Sequence, residues 1–221
     1  EVGGGCMNAS YPDSTRDTGQ TTGLTIPSAL SSITVASKVR ASCLTLEDVT
    51  HIMRLGLKGP NAATWLEEQG VRVPSRANSW CPVAEDDGDI VARLGSSEFL
   101  IETPSRDVRV ATIANELGNP IHGVYPVLRE DRAFVLEGEA VHDVLAEVCN
   151  VNFAALRLEE REAIMTMMIG VAVTVVPQGN AAQRRYRIWC DPSYGDYLWS
   201  SLLDVARSYS NDSTQSFGGI R

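Results

Sequence analysis

Two stretches of the chain repeat the same order of apolar and polar positions. In each, a short apolar strand leads through a glycine turn into a helix with one apolar face: residues 52–57 lead through Gly59, and residues 133–136 lead through Gly138. Glycine at such a turn permits backbone conformations that other residues resist. The spacing therefore predicts a strand, a tight turn and an amphipathic helix at both places.

A pair of strands and a closing helix are predicted after each of these two helices. The first set comprises strands at residues 90–94 and 98–102 and a helix at residues 105–117; the second comprises strands at residues 164–176, interrupted at Gly170, and 185–190, and a helix at residues 193–208. Two such units give antiparallel or mixed sheets with helices on one face. We therefore predict a single α+β domain of two diverged βαββα repeats.

Both ends of the chain are polar. Residues 1–25 are rich in Gly, Ser, Thr and Asp, and residues 210–221 have the same character. Segments with so few apolar residues cannot bury enough surface to offset the entropy of ordering them. We expect two flexible tails, of which the first could lie on a partner, around a folded domain at residues 26–209.

The segment at residues 186–199 is the most informative part of the sequence. A strand stops at Asp191, which can cap a following helix, and Pro192 suits the first turn of that helix. One broad flank of the helix is expected to pack on the domain's own sheet: Tyr194, Tyr197, Leu198, Ser201, Leu202 and Val205. The opposite flank is predicted to be a partner interface, unless another part of the same chain covers it: Trp199, Leu203 and Ala206.

Charge and composition exclude several classes of partner. The formal net charge is -9, which argues against a nucleic-acid or anionic-membrane surface, and no apolar run is long enough to span a membrane. No signal sequence is visible at the start of the chain. The cysteines are scattered without metal-ligand spacing, which is typical of a reducing compartment: Cys6, Cys43, Cys81, Cys149 and Cys190. We therefore expect a cytoplasmic protein that binds no metal.

The sequence contains no strong catalytic motif. It lacks a nucleophile elbow and a P-loop, and its three histidines share no helical face: His51, His122 and His142. The acidic turn at residues 85–89 lacks the spacing of a calcium loop. The charged run at residues 129–132 is typical of surface ion pairs, although a carboxylate and a guanidinium could also be placed there at a ligand cleft.

Three segments nevertheless resemble motifs of sarcosine oxidase gamma subunits. Residues 94–101 resemble the L-G-P-D-E-W-L motif of that family. Residues 131–149 resemble its R-x-x-x-x-L-x-G motif with the helix that follows it, and residues 196–207 resemble its C-terminal D-Y-L-W motif with the helix that follows it. The resemblance as a whole extends over about residues 45–209. This chain departs from the family at Phe99, where a tryptophan is usual, and in its long polar N-terminal segment.

The resemblance implies a fold like the folate-binding module of the glycine-cleavage aminomethyltransferase. It implies a non-catalytic gamma-type subunit of a hetero-oligomeric oxidoreductase complex that demethylates N-methyl amines in one-carbon metabolism. The expected partners are an alpha-type subunit with a folate-binding domain and beta- and delta-type subunits. These partners, and not this chain, would hold FAD, FMN, NAD and tetrahydrofolate.

A free-standing tetrahydrofolate-dependent aminomethyl or methyl transferase is the alternative. That reaction needs a carboxylate to hold the pterin or activate the amine. The candidate carboxylates for it are Asp131, Glu130 and Glu98.

Overall fold

The structure is a computed structural model that describes residues 38–40, 43–83, 88–104, 108–180 and 183–211. The predicted N-terminal tail, most of the predicted C-terminal tail and most of the acidic turn lie outside the described residues. Within them the chain forms two antiparallel sheets and four α-helices.

The larger sheet has six strands. In spatial order they are β1 (Lys38–Arg40), β2 (Leu44–Asp48), β8 (Arg132–Gly138), β11 (Arg184–Cys190), β10 (Val171–Gly179) and β9 (Ile164–Met168). The smaller sheet has five strands, in the order β4 (Ser79–Cys81), β5 (Ile90–Arg93), β6 (Glu98–Thr103), β3 (Met53–Lys58) and β7 (Tyr125–Val127). The helices are α1 (Ala62–Glu68), α2 (Val108–Glu116), α3 (Val141–Val148) and α4 (Gly195–Asn211).

The two sheets have the same strand order, which confirms the predicted duplication. The order β4-β5-β6-β3-β7 in the smaller sheet corresponds to β9-β10-β11-β8-β2 in the larger one. Each half contains three strands after its first helix, where the sequence predicted two. The predicted strand at residues 164–176 is in fact two strands, β9 and β10, because Ile169 and Gly170 adopt positive φ angles of 48° and 79° and reverse the chain.

Three apolar clusters divide the molecule into four layers. Alternate residues of the larger sheet pack under α3 and α4, as Phe134 and Ile188 do, while the next residues along, such as Val135 and Trp189, face the smaller sheet. The smaller sheet has its own cluster with α1 and α2, around Phe99. This period-2 alternation places helices on one face of each sheet and joins the two sheets through their other faces.

The two turn glycines have nearly identical conformations. Gly59 has a φ of 134° and Gly138 a φ of 135°, a region that residues with a Cβ atom rarely adopt. A Cβ atom would lie 2.2 Å from the Gly123 carbonyl oxygen at the first position and 2.3 Å from the Cys43 carbonyl oxygen at the second. Close backbone packing thus requires glycine at both turns of the repeat.

Candidate functional site

Two of the three candidate carboxylates lie near one cleft between the sheets. Arg129 forms an ion pair with Glu98 at the start of β6. Asp131 directly precedes β8, and its Oδ2 atom is buried without a hydrogen-bond partner among the described residues. Glu130 is exposed and is not among the residues that line this cleft.

The cleft beside Asp131 has a volume of about 230 Å³. Its walls include Arg129, Thr166, Trp189 and Cys190. Burial raises the pKa of the Cys190 thiol to about 11, although the nearby Arg132 opposes the shift. At neutral pH Cys190 is therefore a protonated thiol and a poor nucleophile, since the thiolate is the reactive form.

Arg132 joins three elements at the end of the larger sheet. Its Nη2 atom lies 3.0 Å from Asp48 Oδ2 on β2, and its Nη1 atom lies 3.0 Å from Asp196 Oδ1 in the first turn of α4. A Cβ atom at Gly195 would lie 2.3 Å from Arg132 Cγ, so glycine there permits the close approach. Two of the three family-like motifs are therefore in direct contact, and their charged residues hold α4 against the sheet.

The start of α4 is built as the sequence predicts. Asp191 Oδ1 accepts hydrogen bonds from the Ser193 hydroxyl and, at 2.8 Å, from the Ser193 backbone nitrogen, and these two interactions lower the pKa of the Asp191 carboxyl group. Pro192 begins a 3-10 turn that continues into the α-helix.

The predicted interface residues of α4 are partly covered by the chain itself. The Trp199 ring is half-buried, with its centroid 5.5 Å from that of Phe134, and Leu203 is half-buried against the same cluster. Ala206 is buried, at 4% exposure. A partner could contact the remaining exposed parts of Trp199 and Leu203, whereas Ala206 is not accessible in this structure.

Other large apolar side chains are much more exposed. On the edge strand β9, Met165 and Met167 are 52% and 53% exposed. Tyr194, in the 3-10 turn before α4, and Tyr197 on α4 are each 54% exposed, so neither is buried against the domain's own sheet as predicted. The Tyr197 hydroxyl donates a hydrogen bond to the Ile169 carbonyl oxygen in the turn after β9.

The three histidines lie in different surroundings. His51 is exposed, and His122 lies 3.2 Å from the Asn61 amide nitrogen. His142 is half-buried, with Nε2 2.7 Å from the Tyr186 hydroxyl. Within the described ranges no three His, Cys, Asp or Glu side chains are grouped to hold a metal ion.

A buried charge network between the sheets was missed by the sequence analysis. Glu102 on β6 accepts hydrogen bonds from Trp189 Nε1 at 2.7 Å and from Arg54 Nη1 at 3.0 Å, and it forms an ion pair with Arg187. Burial lowers the pKa of Arg187 despite the opposing charge of Glu102. The sequence does carry a signal for this network. Glu102 lies two residues after Leu100 in a strand, so the two side chains share the inward face of that strand.

Comparisons with known proteins show the fold. No protein-family model and no curated protein matches the sequence. A chain of the heterotetrameric sarcosine oxidase from Corynebacterium sp. U-96 in complex with pyrrole 2-carboxylate matches with a TM-score of 0.61 and 22% identity, over 83% of this chain and 90% of that chain. The glycine cleavage system aminomethyltransferase T from Bartonella henselae matches with a TM-score of 0.54 and 15% identity, over 76% of this chain and 47% of that chain.

These matches confirm the predicted α+β fold of the aminomethyltransferase type. The chain corresponds to nearly all of one chain of the sarcosine oxidase and to about half of the aminomethyltransferase. In the part of the chain that the structure describes, no helix has the length and apolar character needed to cross a membrane.

Proposed function

We propose that this chain is a non-catalytic gamma-type subunit of a hetero-oligomeric N-methyl amine oxidase of the sarcosine oxidase type. In this proposal it stabilises an alpha-type subunit with a folate-binding domain, and beta- and delta-type subunits complete the complex. FAD, FMN, NAD and tetrahydrofolate are held by the partners, and the complex works in the cytoplasm.

The observation that carries the proposal is the extent of the structural match. The fold of this chain accounts for 90% of one chain of a heterotetrameric enzyme, whereas it accounts for only 47% of the aminomethyltransferase. Fold alone does not fix function, so the surface and the polar residues must also agree with a subunit role.

The polar residues at the strand ends agree with that role. Arg132 and Arg129 are engaged by carboxylates of the same chain, so their charges fix elements in place. The exposed methionines of β9 lie on an edge strand, which can pair with or pack against another chain. Methionine is common at binding surfaces because its side chain adapts to irregular partners.

Native mass spectrometry tests the proposal directly. The full chain is expressed alone and then together with the chains encoded next to it. We expect it to co-purify in a yellow, flavin-containing complex of several different chains. A stable, colourless monomer or homodimer that binds tetrahydrofolate would overturn the subunit role.

One observation favours the alternative, a free-standing tetrahydrofolate-dependent transferase. The Asp131 Oδ2 atom is buried without a partner beside the 230 Å³ cleft, and a ligand's N–H group could satisfy it. Asp131→Asn should then abolish tetrahydrofolate binding by the isolated chain. Under the subunit role the same substitution should leave flavin content and turnover of the complex unchanged.

A further inference from the structure

A second cavity, with a volume of about 590 Å³, lies away from the cleft at Asp131. It opens between α3, the two short 3-10 turns after α3, and the adjoining ends of β10 and β11. Small-molecule sites usually measure about 300 to 1,000 Å³, so this cavity is large enough for a compact ligand.

One part of the cavity lining, called its floor below, is apolar. Buried aromatic residues and aliphatic side chains contribute to it: Trp80, Phe153, Leu156, Leu158, Pro177 and Tyr186. Phe153 and Tyr186 pack edge to face, with ring centroids 5.4 Å apart. The His142–Tyr186 hydrogen bond of 2.7 Å further fixes this wall.

The rim of the cavity carries an excess of positive charge in a chain whose net charge is -9. Arg157 is paired with Glu160, but Arg161 and Arg184 have no carboxylate within 4.0 Å among the described residues. Glu159 is the one acidic residue among those that line the described cavity. Two unpaired guanidinium groups beside an apolar floor create a site that favours an anion.

Both unpaired arginines are held in position by contacts of their own. The Arg161 backbone is fixed because its carbonyl oxygen accepts a hydrogen bond from the Trp80 nitrogen at 2.9 Å, and its guanidinium lies 5.4 Å from the Trp80 ring centroid. Arg184 Nη1 donates a hydrogen bond to the Glu139 carbonyl oxygen at 3.2 Å. Each guanidinium retains further donors that a ligand oxygen can accept.

We propose that this cavity binds a small organic anion, with a carboxylate or phosphate group at Arg161 and Arg184 and an apolar body against the floor. The apolar floor distinguishes such a ligand from an inorganic anion, which would gain nothing from that surface. The site is distinct from the Asp131 cleft and does not depend on the subunit role.

Isothermal titration calorimetry on the full chain, or on the complex in which it purifies, tests the proposal. The probes are 3-phenylpropionate, 2-phenylethyl phosphate and the neutral 3-phenylpropanamide. We expect one of the two anions to bind with a Kd below about 1 mM and the neutral amide to bind at least tenfold more weakly. The better anion identifies the head group.

Two kinds of variant locate the site. Arg161→Gln and Arg184→Gln should each weaken binding of the preferred anion about tenfold, whereas Arg207→Gln, on the exposed surface of α4, should not change it. Ala154→Trp adds a bulky side chain at an exposed position that lines the cavity, and it should abolish binding without affecting the core. Equal binding of the neutral amide, no binding by either anion, or unchanged binding in these variants would overturn the proposal.

Discussion

Glu102 shows how a single residue can join two halves of a duplicated fold. It belongs to β6 of the smaller sheet, while Arg187 and Trp189 belong to β11 of the larger one. The network contains one carboxylate and two guanidinium groups, all with side chains no more than 4% exposed. A buried charge of this kind is tolerated because partners on both sheets surround it.

Glu102→Gln should therefore destabilise the chain by about 3 to 5 kcal/mol, because it leaves two buried guanidinium groups without their counterion. Urea unfolding followed by circular dichroism measures the loss. Glu47→Gln is a matched control, since Glu47 pairs with Lys38 at the surface and should cost less than about 1 kcal/mol. Equal losses in the two variants would show that the network adds no stability.

Cys190 gives the chain a dependence on alkaline pH. Burial raises its pKa in the folded state to about 11, above the ordinary value of 9.0, so the folded chain holds the proton more tightly than the unfolded chain. The resulting stability is fully present below pH 9.0 and is lost as the pH rises towards 11.

Unfolding free energies at pH 8 and pH 10 measure this effect. The natural chain should lose about 1 kcal/mol more between these two pH values than Cys190→Ala does. Cys81 and Tyr186 also have raised pKa values, but both chains contain them and the comparison cancels their contribution. An identical loss in the two chains would contradict the assignment to Cys190.

At the scale of elements, the strand-glycine-helix turn is the unit that the two halves share. Gly59→Ala and Gly138→Ala should each cost more than about 2 kcal/mol, because the added Cβ atom both strains the positive φ and approaches a carbonyl oxygen within 2.3 Å. Gly95→Ala is the control, since its Cβ atom would be 4.0 Å from the nearest atom. Thermal unfolding of the three variants gives the comparison, and a similar shift in all three would refute the argument.

The same turns explain how much of the fold could be predicted from the sequence. The glycines, the apolar strands beside them and the cap at Asp191 are local signals, and each one predicted an element that the structure contains. Strands β2 and β7 were not predicted, because each has only three to five residues and pairs with a distant segment, β8 and β3 respectively. Pairing over such distances depends on the assembled sheet and leaves little trace in a short window of sequence.

The candidate site was predictable only in part for a related reason. The charged run at residues 129–132 was interpreted as ion pairs or a ligand cleft; the structure contains ion pairs at Arg132 and places Asp131 beside a cleft, while a ligand there stays a prediction. Arg161 and Arg184 were not identified, because they are separated along the chain and come to line the same cavity only when the turns after α3 pack beside β11. Likewise, the sequence left open whether a partner or the chain itself covers Trp199, because a helical wheel cannot show that Phe134 lies beside it.

At the scale of the whole molecule, the larger sheet extends beyond the smaller one. In the register of β9 and β10, Met165 pairs with Thr174 and Met167 pairs with Ala172, so all four lie on the same face of the sheet. Val176, further along β10, lies on that face too, and there it is buried in the cluster between the two sheets. Met165 and Met167 are 52% and 53% exposed, which shows that the smaller sheet does not cover this end. An edge strand with apolar side chains and no cover of its own is a surface that a partner chain can stabilise.

Met165→Lys and Met167→Lys should therefore weaken assembly with the partner chains at least tenfold, because burying a lysine ammonium group at an apolar interface is unfavourable. The folded chain itself should keep its stability, since both side chains are already half exposed. Met53→Lys is the matched control: Met53 is also exposed, at 41%, but lies on β3 of the smaller sheet. Native mass spectrometry of the co-expressed complex measures the loss of assembly. If the complexes with the β9 variants stay intact, the interface lies on another surface, and the exposed edges of Trp199 and Leu203 are the next to test.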